Sequence, residues 1–392
     1  MSFKKIIVVL AIFVIGISVV TKVRAQGELE QQLETYLQVL DIVKNDYVNK
    51  EVDDQKLVYG SIRGMLAALD DPYTRFVEPK AYDEMKVRMS GSYSGIGIYI
   101  GMKDHNLAVI SPIEGTPAYK AGLKAGDLIV KIDDKTTKDM ALEEAVSIIR
   151  GPRLTTVVLG IERKGWEKAK DIPIVRNKIE IKALRTKLLD GNIAYLKLNT
   201  FENISSAKEF EKALRTHREA DGLIIDVRGN GGGLLQNAIE IGSMFIEDGM
   251  IVQTIDRYGR NEQINSTGRV LWRKPTVVLI NEASASASEI LAGALRDNHV
   301  ATLVGETTFG KASVQNVRRL NDGSALLVTI AKYRTPNGDD INKVGISPEV
   351  IVTVPTEEAS ASLGTMPDEK TDLQLIKAVD VIKDLIEQRS RG

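Results

Sequence analysis

The chain has 392 residues, 43% of them hydrophobic, and its 52 basic and 53 acidic residues nearly cancel. That is enough apolar material for two or more cored domains, and no basic run of the kind that binds nucleic acid is present. The absence of cysteine removes thiol catalysis, thiolate zinc sites, iron–sulfur clusters and disulfides together. The three histidines, His105, His217 and His299, lie too far apart for a metal-binding H-E-x-x-H pattern, so no metal or other cofactor is expected.

At the N-terminus, Lys4 and Lys5 precede an apolar run from Ile6 to Val20, and Val23-Arg24-Ala25 resembles a small-x-small cleavage site. This is the anatomy of a secretory signal peptide. The run is short of the roughly 20 residues that span a bilayer; an uncleaved signal anchor, with membrane attachment, is the alternative. Either reading places the protein in the periplasm or otherwise outside the cytoplasm, where a cysteine-free chain is at home.

From Leu29 onward, Leu33, Leu37, Leu40, Val43 and Tyr47 recur at three- and four-residue spacing and predict one face of an amphipathic helix. That face reads either as core packing or as a homodimer contact. A second helical pattern covers Leu57 to Leu69 and stops at Asp70-Asp71-Pro72. Glycines and short β-like runs dominate residues 91–168: Gly95-Ile96-Gly97-Ile98, Leu107 to Ser111, Asp127 to Ile132 and Thr156 to Ile161, with one helix pattern at Ala141 to Ile149. The order of Ser94 to Ile98, Ser111-Pro112, Gly115 to Ala118, Ala121-Gly122-Leu123 and Ala125 to Ile129 resembles a PDZ domain. A glycine-rich turn leading into a strand aims successive backbone N–H groups at a carboxylate, and the strand pairs with an extended peptide. The resemblance implies that Gly95, Ile96, Gly97 and Ile98 capture a free peptide C-terminus. Arg150, at the end of the helix, is a relay from there to the rest of the protein. A glycine-rich β-module without a ligand is the plainer reading.

After Lys168, strand patterns at Ile193 to Leu198, Leu223 to Val227, Thr276 to Ile280 and Ala301 to Val304 alternate with helix patterns at Ala207 to Arg215, about Leu234 to Phe245 and Glu289 to Leu295, which predicts an α/β core. Asn321-Asp322-Gly323 marks a hairpin turn, with Leu326 to Tyr333 as its second strand. Thr371 to Ile386 reads as a last amphipathic helix.

Two stretches carry chemistry. Arg228-Gly229-Asn230-Gly231-Gly232-Gly233 turns from a strand into a helix, which makes an anion site. Leu234 stands where a third glycine of G-x-G-x-x-G would fall and no G-K-[ST] follows, so an oxyanion hole is favoured over a nucleotide cradle. The second stretch holds Ser284, Ser286 and Ser288 between strand and helix, with Lys311 in an apolar context downstream. With so few histidines, the base for a serine nucleophile is a lysine, held neutral by burial or by nearby positive charge. Gln315 would share a face with Lys311 if that segment were helical. Spacing does not choose among the three serines.

With these motifs in view, the chain resembles a carboxyl-terminal processing peptidase, or tail-specific protease. The resemblance rests on the PDZ module together with Asp226 to Leu234, Ser284 to Ile290 and Gly305 to Lys311. It implies a mixed α/β (α+β) fold: a crotonase-like protease core with an inserted PDZ domain and an N-terminal helical segment. It implies Ser286 as nucleophile, Lys311 as base, Gln315 in support, and the N–H groups of Gly232 and Ala287 as oxyanion donors. Gly231 stands where many members carry proline. Asp297 matches an acidic position implicated in some members, and a helix C-terminal aspartate is also commonly structural. Tyr333 to Gly338 and Gly345 to Pro348 resemble flanking family segments. The expected division is 1–25 signal segment, 26–90 N-terminal helical region, 91–168 PDZ domain, 169–355 serine protease core and 356–392 C-terminal linker and helix.

The function implied is an extracytoplasmic serine endopeptidase whose partners are proteins or peptides with free C-termini, cleaved at their tails, with PDZ occupancy either activating or only tethering. Two rivals stand beside it. One is a non-catalytic PDZ-containing, chaperone-like binding protein. The other is an acyl-CoA enzyme of the crotonase type, against which the export signal argues.

Overall fold

The computed structural model describes residues 29–103, 106–354 and 366–391. The signal segment read over residues 1–25 lies outside the described residues, as do His105 and residues 356–365 of the linker. Among the described residues no helix is long and apolar enough to cross a membrane. By its contacts the chain divides after Asp71.

Among the described residues the first unit holds two helices, 29–46 and Asp54–Ala67. Asp53 caps the second helix, its carboxylate accepting the Lys56 N–H at 3.1 Å and so satisfying one donor that the first helical turn leaves open. The predicted apolar face of 29–46 is largely uncovered: Leu33 and Leu37 are 53% and 59% exposed and Tyr47 is 56% exposed, while Leu40 and Val43 are half-buried. Core packing is therefore not what that periodicity encodes in this chain alone.

The second unit begins at Pro72, within the expected 26–90 region. The strand Arg75–Val77 pairs antiparallel with Ala325–Leu327, and Tyr82 and Met85 of the helix Pro79–Ser90 pack against the same small apolar cluster as Val77. The physical reason is the Asp71-Pro72 break, which ends the helical run and lets the chain enter a sheet.

The PDZ module is a sheet in the order Ile98–Lys103, Asn106–Pro112, Leu128–Ile132, Thr156–Glu162, Lys170–Val175, with the short strand Lys135–Thr136 beside the third. The expected boundary at 168 falls short by one strand, because Lys170–Val175 completes a hairpin with Thr156–Ile161. Among the described residues Ile98–Lys103 pairs on one side only, and such an edge can take an added strand. Ser92–Gly95 and Asn177–Glu180, the two stretches that enter and leave the module, pair with each other as an antiparallel ribbon.

The core sheet runs Leu184–Leu189, Ile193–Leu198, Gly222–Asp226, Thr276–Ile280, Thr302–Gly305, Val350–Ile351, parallel after its first hairpin. Its central strands are buried on both faces, as continuous apolar runs in a parallel sheet should be. Side chains alternate strictly. Leu196, Ile225, Val278 and Ile280 pack under the helices Ser206–Thr216, Leu235–Ser243 and Ala287–Asp297. Tyr195, Ile224, Val277 and Leu279 face Leu375, Ala378 and Ile382 of the last helix, Leu373–Arg391. That helix is thus a full layer of the core rather than an appended segment. A second sheet joins Arg75–Val77, Ala325–Arg334, Met250–Asp256 and Asn261–Asn265, with Ser313–Arg319 also pairing to Ala325–Arg334.

Candidate active site

The parallel strand Thr276–Ile280 ends, and within six residues the helix Ala287–Asp297 begins. Ser286 stands between them as the residue that precedes the helix, with φ +57° and ψ −114°. A β-carbon is strained there, at a cost on the order of 1–3 kcal/mol, and such a backbone survives only when its surroundings over-determine it. The three serines now separate. Ser284 and Ser288 are fully buried. The Ser284 hydroxyl donates to the Val227 carbonyl at 2.9 Å, and the Ser288 hydroxyl donates to the Asn230 carbonyl at 2.8 Å. Both are fastenings between the serine turn and the glycine loop. Ser286 alone of the three is partly open to solvent.

The surroundings that hold Ser286 are Glu289 and Tyr333. Glu289 is fully buried. One of its oxygens accepts the Ser286 N–H at 2.8 Å and the Lys311 N–H at 2.9 Å. The other accepts the Thr308 hydroxyl at 2.6 Å and the Gly310 N–H at 2.7 Å. The carboxylate therefore grips the backbone of the serine and of the lysine at once. The Tyr333 hydroxyl lies 3.2 Å from the Ser286 carbonyl and also donates to the Lys311 carbonyl; its single proton serves one of them at a time. Burial pushes the Tyr333 phenol well above its ordinary pKa, with the Glu289 carboxylate and the Tyr73 phenol adding to the effect. It therefore stays a neutral donor. Lys311 Nζ sits 4.6 Å from the centroid of the Tyr73 ring.

The glycine loop closes on the serine turn. A β-carbon at Gly232 would lie 2.7 Å from the Ala285 carbonyl oxygen, 2.8 Å from Ala287 N and 2.9 Å from Ser286 Cβ, and φ there is +96°. Only glycine permits this approach. Ala287 is the first residue of its helix, a position whose N–H has no partner within the helix. The Gly232 N–H, by contrast, is directed to the Asn230 side-chain oxygen at 2.9 Å. A negative oxygen arriving between these amides has to take the place of that oxygen. Gly232→Ala should lower kcat by at least about 10²-fold, since its methyl group has no room between the loop and the serine turn and must push them apart. Steady-state kinetics on a tail peptide measures this.

Beneath the loop, Asp226 is fully buried between Arg228 at 2.7 Å and Lys197 at 2.9 Å. Burial alone would raise its pKa, but those two charges, with hydrogen bonds from Arg228 and Tyr195, hold it below the usual carboxylate range. Asp226 therefore stays charged from neutral pH down into acid. The stability it contributes is present above the ordinary carboxylate pKa and fades only as pH falls through the depressed one. Arg228 also reaches Asp372 at 2.8 Å and Gln374 at 3.0 Å, which fastens the loop to the last helix.

The other expected residues fall as follows. Gln315 lies on the strand Ser313–Arg319, not on a helix, so the helical face shared with Lys311 does not exist. Its amide donates to Ser313 Oγ at 2.8 Å. A run of Ser, Val and Gln before two arginines suits an edge of the second sheet, and pairing with Ala325–Arg334 overrides any helical spacing. Asp297 pairs with Arg296 at 2.7 Å and accepts the Asn337 N–H at 2.9 Å. It thereby ties the helix end to the Tyr333–Gly338 segment. In the PDZ module Ile96 is core, Gly97 (φ +79°) packs against Thr116, and Ile98 opens the free-edged strand. Arg150 lies 4.9 Å from the centroid of the Tyr93 ring. A β-carbon on Gly95 would meet that ring at 2.9 Å and Arg150 Cγ at 3.9 Å, so Gly95 and Arg150 are neighbours.

Glu289 was legible as the last member of Ser286-x-x-Glu289, a capping-box spacing, but read only as helix. Tyr73 carries no local signal at all.

The comparisons with known proteins agree with this architecture. Residues 192–352 match peptidase family S41, residues 109–163 match the PDZ domain, and residues 17–81 match the N-terminal domain of the activating protease CtpB. The carboxyl-terminal-processing protease of Synechocystis is 39% identical over 322 residues, 80% of this chain and 75% of that protein. The carboxy-terminal processing protease CtpA of Bacillus subtilis is 36% identical over 349 residues, 88% of this chain and 74% of that protein. A crystal structure of a Bacteroides fragilis protein assigned to the S41 proteases aligns with a TM-score of 0.54 at 15% identity, covering 88% of this chain and 96% of that one; it speaks to fold alone. The chain belongs to the carboxyl-terminal processing proteases of peptidase family S41, serine peptidases that carry a PDZ domain.

Proposed function

We propose that this peptidase works through a Ser286–Lys311 dyad. The observation that carries the reading is the double grip of Glu289 and Tyr333, each holding the serine and the lysine backbones together. The neutral Lys311 amine removes the Ser286 hydroxyl proton, and Ser286 Oγ attacks the peptide carbonyl carbon. The Ala287 and Gly232 N–H groups take the oxyanion, with Asn230 Oδ1 released from Gly232. The C–N bond breaks as the ammonium returns its proton to the leaving amine, and water then hydrolyses the ester by the same route. Gln315 supports the lysine side of the site through Ser313. The test is cleavage of a tail peptide by Ser286→Ala and Lys311→Ala. Each should lower turnover by at least about 10³-fold while keeping the wild-type melting temperature, and a wild-type rate in either variant refutes the dyad.

The protein acts outside the cytoplasm on proteins with free C-termini, which dock along the open edge of Ile98–Lys103 with the carboxylate at Gly95–Ile98. Docking activates the protease through Arg150, which stacks on Tyr93 in the ribbon leading to the core. An uncleavable peptide with a free C-terminus should raise kcat/KM on a short reporter several-fold, its C-terminal amide should not, and Arg150→Ala should abolish the increase. An equal rate with and without the peptide contradicts activation.

A second copy of the chain covers the exposed face at Leu33, Leu37 and Tyr47, three large apolar side chains each more than half open to solvent. Leu33→Glu with Leu37→Glu should turn a sedimenting dimer into a monomer; a wild-type protein that sediments as a monomer at micromolar concentration contradicts this.

A further inference from the structure

We propose that Tyr73 is a positioning residue for the general base. Its ring holds the Lys311 amine in place and stabilises the ammonium that forms when the serine proton is taken. The proposal rests on Lys311 being the base.

Tyr73 is far from Lys311 in sequence, and sheet register brings the two together. Tyr73 stands two residues before the strand Arg75–Val77, which pairs with one edge of Ala325–Arg334 at residues 325–327. Thr74, next to it, accepts the Thr329 N–H on its hydroxyl at 3.0 Å. Lys311 stands two residues before Ser313–Arg319, which pairs with the opposite edge of the same strand, Arg319 to Ala325 and Val317 to Leu327. The central strand therefore carries the tyrosine segment on one side and the lysine segment on the other. Both chains emerge toward the serine turn, where the ring centroid comes within 4.6 Å of Nζ.

The charged and titratable groups around this lysine define the chemistry. Glu289 faces its backbone N–H and Tyr333 its backbone carbonyl, so both hold the main chain. The Tyr73 ring is packed on the amine itself. An aromatic face attracts an ammonium through its quadrupole and attracts a neutral amine far less. In the free enzyme this favours the protonated lysine and places the acid limb of activity at higher pH. In the transition state the lysine is gaining its proton, and the same attraction lowers the barrier, because it is stronger there than in the reactive ground state. The ring thus trades basicity at acid pH for rate on the plateau.

The variants are Tyr73→Leu, which keeps apolar bulk and removes the aromatic face, and Tyr73→Phe, which keeps the face and removes the phenol. In the full chain, the acid limb of kcat/KM for a tail peptide should move down by about half to one pH unit in Tyr73→Leu, and its plateau should fall by up to about 3- to 10-fold. Tyr73→Phe should retain the wild-type acid limb. As a readout independent of turnover, the pH dependence of Lys311 acetylation by acetic anhydride, followed by peptide mass spectrometry in a Ser286→Ala background, should move the same way. An acid limb and an acetylation curve unchanged or moved upward in Tyr73→Leu overturn the proposal. So does a Tyr73→Phe variant that behaves like Tyr73→Leu, since the phenol would then be the active part. If Lys311→Ala keeps activity, the dyad itself has failed. The acetylation curves then still report whether the ring acts on the amine.

Discussion

Glu289→Gln should lower kcat by about 10²-fold or more and leave KM within a few-fold of wild type. The carboxylate uses one oxygen for Ser286 N and Lys311 N and the other for Thr308 Oγ1 and Gly310 N. All four are donors, three of them backbone N–H groups that cannot turn away. A glutamine offers one oxygen and one NH2, so whichever way it sits, its NH2 meets at least one backbone N–H. Each buried donor left without an acceptor costs about 1–3 kcal/mol. The turn relieves that cost by moving, and displacement of reacting groups by about 1 Å costs about 10²-fold in rate. The strained backbone at Ser286 makes this turn the first part to relax. A melting temperature lowered by several degrees should accompany the loss. Kinetics and a thermal melt on the purified variant measure both, and unchanged kcat would show that Glu289 does not position the dyad.

Lys311→Met should lower kcat/KM by at least about 10³-fold, within the range that a positioned general base contributes. Methionine keeps much of the apolar stem and loses the amine. Glu289 and Tyr333 hold position 311 through its backbone N–H and carbonyl, so the variant keeps those hydrogen bonds and the fold. On the proposed dyad the residual rate should also lose its acid limb, because the group expected to shed a proton before attack is gone. A Lys311→Met protein that still shows the wild-type acid limb would assign that titration to another group.

The central layer of this molecule could be read from the sequence because its strands are continuous apolar runs and its helices are periodic. Thr276–Ile280 and Ile193–Leu198 have the bounds that composition predicts, and the helices after Arg215 and around Leu295 differ from expectation by a residue or two. What stayed hidden was set by long-range pairing. Arg75–Val77 is three residues long and becomes a strand only because Ala325–Leu327 receives it. The hairpin Met250–Asn265 mixes polar and apolar residues without clean alternation. Gln315 looked like a helical neighbour of Lys311 until the second sheet claimed its segment. At the site, spacing left the three serines open, and only the family resemblance implied Ser286, Lys311, Gly232 and Ala287. The buried hydroxyl bonds of Ser284 and Ser288 give a physical reason to prefer the middle serine. The Asn230 oxygen on the Gly232 amide could not be foreseen, because an asparagine in a glycine loop reads the same whether its side chain caps an amide or faces water.

The most direct measurement is an acid quench of the enzyme reacting with an activated ester acyl donor, followed by peptide mapping of the trapped adduct. The dyad predicts one acyl group, located by fragmentation of the peptide to Ser286 itself, formed faster as pH rises, and at least about 10³-fold slower in Lys311→Met. An adduct on Ser284, Ser288 or another side chain, or an equal rate of acylation without the lysine, would contradict it.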